Sequence, residues 1–127
     1  MVDDSELDYL ITWLTAATTD VTVKSIETTR NISLVGAAKR ALIFPPETMW
    51  INGAFYKKRY LIKVSAESEA NHMAIVNDII DGCLAYNKNP TVATMCNINY
   101  AYGGRCFVEI NGRWNQDLWI DVEWITS

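Results

Sequence analysis

The sequence predicts an α+β domain: a mostly antiparallel sheet, two main helices packed on one of its faces, and a C-terminal β-meander. Three observations predict it. Apolar residues recur at helical spacing in two segments, 5–18 and 68–86. Apolar and polar residues alternate along several of the segments between and after them, as half-buried strands require. Asn-Gly and Gly-Gly pairs punctuate those strands where the chain must reverse. The 127 residues make one domain, 1–127, long enough to bury a core without a metal or disulfide staple.

The first helix runs from about Ser5 to Thr18. Leu7, Leu10, Ile11 and Leu14 form its apolar stripe. Asp3, Asp4 or Ser5 caps it, and the early acids suit the positive end of the helix dipole. Tyr9 and Trp13 flank the stripe, either widening the core face or offering a second face to a partner. Val21 to Thr29 is β-branched and reads as a strand. Asn31 to Arg40 fits a helix or an ordered loop. Ala41 to Phe44 is a short apolar strand stopped by Pro45-Pro46.

Asn52-Gly53 separates Met49-Trp50-Ile51 from Ala54-Phe55-Tyr56, which predicts a type I′ hairpin turn. In the strand that follows, Tyr56, Tyr60, Ile62 and Val64 share one face; Phe55, Lys57, Arg59 and Lys63 share the other. The second helix spans about Ser68 to Tyr86, capped by Ser68, with Glu67 and Glu69 at its positive end. Met73, Val76, Ile80, Cys83 and Leu84 form its expected core stripe, widened by Ile75 and Ile79. Asn87 to Pro90 ends it. Val92 to Tyr102 then alternates along one long strand. Gly103-Gly104 turns it into a strand with Cys106, Val108 and Ile110 on one face. Asn111-Gly112 turns again into the last strand, with Leu118, Ile120, Val122 and Trp124 opposite Trp119, Asp121, Glu123 and Ile125.

The net charge of −4 disfavours wholesale binding to nucleic acid, which depends on phosphate neutralisation. The acidic start, Met1 to Glu6, has no apolar core of a signal peptide. No apolar run approaches the ~18 residues of a membrane span. Three cysteines, Cys83, Cys96 and Cys106, read as free thiols of a reducing compartment. If Gly103-Gly104 is a two-residue turn, Cys106 faces Ala101, and Cys96 and Cys106 are out of register for a bond. His72 is the sole histidine and no C-x₂-C pair exists, so a metal site is not expected. His72 itself is expected at the surface or half-buried. Asp117, Asp121 and Glu123 lack a third ligand in a loop and read as a solvated strand face. No nucleophile–base pair, phosphate loop or zinc-protease motif occurs; the chain reads as a non-enzyme without cofactor.

The basic stretch Lys57, Lys58, Arg59 and Lys63 admits three readings: a solvated edge, a platform for single-stranded nucleic acid, or a match for the acidic strand of another copy.

The order of elements adds a resemblance. An amphipathic helix precedes strands; a short strand ends in Phe44-Pro45-Pro46; a turn at Asn52-Gly53 leads to Tyr60-Leu61-Ile62-Lys63-Val64; a helix, Glu69 to Tyr86, follows directly; strands complete the chain. This resembles the tail-terminator and tail-completion (head–tail joining) proteins of long-tailed viruses of bacteria and archaea. The resemblance implies a small α+β protein in the virion, made in the host cytoplasm. It implies a hexameric ring that caps the tail tube, partnered by tail-tube or head–tail connector proteins. A ring needs two complementary patches. The basic face of Lys57, Arg59 and Lys63 and the acidic face of Asp121 and Glu123 are the expected pair, with Trp50, Trp114, Trp119 and Trp124 as apolar anchors. The alternative is a small ligand- or single-stranded nucleic-acid-binding module using strand 55–63.

Overall fold

The computed structural model describes residues 4–25 and 39–126. Along the chain run α1 (Asp4–Ala17), β1 (Thr22–Ser25), β2 (Lys39–Ile43), β3 (Glu47–Asn52), β4 (Phe55–Ala66), α2 (Glu69–Lys88), β5 (Met95–Gly103), β6 (Phe107–Val108) and β7 (Trp114–Ile125). The expected α+β class is what the chain adopts. The strand expected over 21–29 is seen at Thr22–Ser25. Val21 precedes that strand; 26–29, and 31–38 of the ambiguous segment, lie outside the described residues; Lys39 and Arg40 open β2.

Two strands of 12 residues, β4 and β7, form the spine, antiparallel and paired without interruption from Phe55↔Ile125 to Ala66↔Trp114. Each carries two shorter strands on its outer side. On β4, β3 pairs with residues 55–59 and β2 with residues 62–66, and β1 extends the sheet parallel to β2. On β7, β5 pairs with residues 118–124 and β6 with Asn115 and Trp114. The three C-terminal strands are therefore all present, but β5 and β6 do not pair with each other. Instead of turning at Gly103-Gly104, the chain continues along the same side of β7; Gly104 N–H donates to the Asp117 carbonyl. The turn at Asn111-Gly112 does form, closed by hydrogen bonds from Glu109 to Arg113 and from Gly112 to Glu109. The expected opposition of Cys106 and Ala101 does not arise, and all three cysteines are free.

Even-numbered residues of both spine strands face the helices. Tyr60, Ile62, Val64 and Ala66 of β4, with Leu118, Ile120, Val122 and Trp124 of β7, form the floor of the core. Leu7, Leu10 and Leu14 of α1 lie on it fully buried, as their spacing predicts. The buried stripe of α2 is His72, Ile75, Ile79, Cys83 and Tyr86. It is rotated from the expected one: Met73 and Leu84 are exposed. Apolar residues surround much of this helix, and periodicity alone ranks two adjacent faces equally; Ile75 and Ile79 took the core, and Val76 and Ile80 are half-buried at its margin. Ser68 caps the helix as expected, accepting from Asn71 N–H at 3.3 Å. The β3–β4 turn is displaced by one residue. Asn52 pairs with Phe55, so the loop is Gly53-Ala54. Only Gly53 of the two has positive φ, +62°, the pattern of a type II′ turn instead of type I′.

Candidate interaction surface

Both helices cover one face of the sheet, which leaves the odd-numbered residues of β4 and β7 on the other. The spine register sets Lys57 opposite Glu123, Arg59 opposite Asp121, Leu61 opposite Trp119 and Lys63 opposite Asp117. The basic and acidic faces expected to meet between copies thus meet within one chain. Arg59 donates to Asp121 through Nε at 2.7 Å and Nη2 at 2.9 Å, a bidentate pair in which the carboxylate is buried. That bond, opposed by burial, strengthens the guanidinium's hold on its proton. Lys63 reaches Asp117 at 4.0 Å, and Asn97 donates to Glu123 at 3.1 Å. Arg59 also lies over the Tyr102 ring, which stacks on Trp119 with centroids 4.7 Å apart.

The anchors expected from the tryptophans separate. Trp50 is exposed on β3, and Trp119 is half-buried under Tyr102. Trp114 is half-buried beside His72. Trp124 has no exposed surface; it anchors the chain's own core, its indole N–H donating to the Tyr60 hydroxyl at 3.1 Å. Alternation places it on the same face as Leu118, Ile120 and Val122, but alternation does not say which face is covered.

Lys58 also departs from its neighbours. Being even-numbered, it points under the helices, where its Nζ meets Glu6 of α1 at 2.7 Å. Tyr56 and Tyr60 hydroxyls donate to the same carboxylate. Glu6 and Tyr56, with Ser5, Tyr9, Thr94 and Trp124, line a polar recess of about 210 Å³. Sequence reading missed this cluster. The signal available was a lysine on the apolar face of a strand and a glutamate within an apolar helical turn.

His72, expected at the surface or half-buried, is buried against β7. Burial lowers its pKa, partly offset by Gln116 and Glu69. Cys106 Sγ lies 3.9 Å from His72 Nε2, but burial, and then Glu69, push that thiol up. Both shifts favour the uncharged forms, away from the thiolate a nucleophile needs. Among the described residues no group of three or more His, Cys, Asp or Glu is placed to hold a metal ion, and no helix is long and apolar enough to cross a membrane.

The sheet edges differ in how they end. On β5, the Asn87 side chain of α2 imitates a neighbouring strand: its amide donates to the Ile98 carbonyl at 2.8 Å and accepts from Ile98 N–H at 2.9 Å. Tyr86 hydroxyl donates to the Met95 carbonyl at 2.6 Å. On β3 no such cover exists among the described residues. All six of its residues are exposed, Ile51 by 72%. A second exposed apolar group, Phe107, Val108 and Ile110, lies on β6 and its turn. Contiguous apolar surface of this kind marks interaction sites.

No model of a known protein family matches the chain, and no curated protein sequence matches it. Among solved structures, it is similar to a chain of the "Virion of native gene transfer agent (GTA) particle", with a TM-score of 0.58. The likeness covers 81% of this chain and 78% of that one at 14% sequence identity, so what the two share is the fold.

Proposed function

We propose that this chain is a non-enzymatic virion assembly protein of the tail-terminator or tail-completion type. It associates with itself into a ring, a hexamer in that reading, at the tail end or head–tail junction. The observation that carries this is the fold held in common with a virion chain over about four fifths of both. The order of elements in the sequence independently resembles that group. The exposed apolar edge supports association with protein. On the open sheet face, Lys57, Arg59 and Lys63 each stand opposite a carboxylate, which leaves no surplus of positive charge for phosphates and disfavours the nucleic-acid reading. In this proposal Trp50, Lys57, Lys63 and Trp119 belong to the surface near the next copy, with Arg59, Asp121 and Glu123 as the frame that positions them.

Light scattering after size exclusion, over a range of protein concentrations, tests the reading. A ring-sized mass at high concentration, with rings visible by electron microscopy, supports it. A strict monomer at every concentration, which also leaves purified tail tubes unbound, overturns it.

A further inference from the structure

Resting on the self-association just proposed, we infer that the contact between copies is head-to-tail: the β3 hairpin of one copy, through Met49, Trp50 and Ile51, packs on the β6 edge of the next, through Phe107, Val108 and Ile110. Four features of the chain lead there. The first is placement. β3 lies on the outer side of β4 beside residues 55–59, and β6 on the outer side of β7 beside Asn115 and Trp114. Since residue 66 of β4 faces residue 114 of β7, the patches sit on opposite edges and opposite ends of the spine, roughly 30 Å apart along the strands. One neighbour cannot reach both. Each copy therefore needs two neighbours, the condition for a ring or filament instead of a closed two-fold dimer.

The second is the contrast between edges. Side chains of α2 cap the β5 edge at Ile98 and Met95, whereas β3 is open and apolar. A chain that blocks one edge and leaves the other bare has left it for a partner. The third is charge. Glu47 stands two residues before Met49 and Arg105 two before Phe107; both are exposed, and neither has an ion-pair partner among the described residues. Each patch thus carries three exposed apolar residues with an unpaired charge of opposite sign two residues before them, while Glu109, inside the second patch, is held by the Asn115 amide at 2.9 Å. The fourth is the bulge between Thr48 and Trp50. It interrupts a regular ladder on β3, so side chains make the contact, not a continuous intermolecular sheet.

The test uses Ile51→Asp and Ile110→Asp, each followed by light scattering and by circular dichroism to verify the fold. Each variant alone is expected to be monomeric. Mixed in equal amounts, they are expected to form a 1:1 dimer and stop there, because each keeps the face the other has lost. Glu47→Arg or Arg105→Glu alone is expected to weaken association about fivefold, and the double reversal to restore it. Milder Ile51→Ser and Ile110→Ser variants repeat the test if the aspartates disturb folding. If wild type assembles and Ile110→Asp assembles equally well, the head-to-tail contact is overturned while self-association stands. If wild type never assembles, both fall together.

Discussion

Lys58 and its two neighbours show how much one residue of register decides. Lys57 and Arg59 face solvent and the acids of β7; Lys58, between them, is buried against Glu6. Breaking a buried pair strands one charge in a poorly solvating place. Glu6→Ala is therefore expected to cost about 3–5 kcal/mol in chemical denaturation. Replacing both partners with apolar residues, Glu6→Leu with Lys58→Met, is expected to cost far less. A small loss in the single variant would show that Lys58 finds another partner or reaches water. His72 gives the fold a pH dependence of known sign. The unfolded residue takes up a proton near its ordinary value of 6.5, and the folded one only at lower pH. Its contribution is complete above the ordinary value and is lost as pH falls through the folded one. Melting temperature is expected to fall more between about pH 7.5 and about pH 5 in wild type than in His72→Gln. Equal falls would assign the dependence to the carboxylates.

Among the elements, the two helices meet at one close approach. Trp13 of α1 donates to the Gly82 carbonyl of α2 at 3.3 Å. A Cβ placed on Gly82 would lie 2.8 Å from Ala17 Cβ and 3.4 Å from the Trp13 ring. On a free helix surface Gly→Ala stabilises by about 1 kcal/mol. Here the sign is expected to reverse. Gly82→Ala should destabilise by about 1–2 kcal/mol as α1 is pushed from α2, and Ala17→Gly in the same chain should recover part of the loss. A stabilised single variant would mean the helices separate freely. The strand elements divide by role in the same way: β4 and β7 are long and central, while β3 and β6 are short, peripheral and apolar, the arrangement of a rigid frame carrying two contact points.

At the scale of the whole molecule, the distribution of charge separates two accounts of assembly. If copies met through the faces of Lys57, Arg59 and Lys63 and of Asp121 and Glu123, salt would dissolve the assembly, because exposed charge pairs are screened within about 3 Å at 1 M. The register satisfies those charges inside one chain, and the exposed contact points are apolar. Association is therefore expected to persist or strengthen as salt rises from about 0.1 M to about 1 M, measured by sedimentation or light scattering. Dissociation across that range would return the contact to the charged faces.

What the sequence determined by itself was whatever repeats within a few residues. The stripe Leu7, Leu10, Leu14, the cap at Ser68 and the alternation of β4 and β7 were legible, because helical and strand periods are local and burial follows them. Pairing was not. Nothing near Gly103-Gly104 says that β5 will pass its neighbour and lie on β7, and nothing near Arg59 says that Asp121, 62 residues later, will be opposite. The exposed Trp50 and the buried Trp124 look alike as letters; only the sheet order, with β3 at an edge and β7 at the centre, separates them. Tertiary structure decided these points because long-range pairing maximises burial and charge satisfaction over the whole chain, a sum that no local window contains.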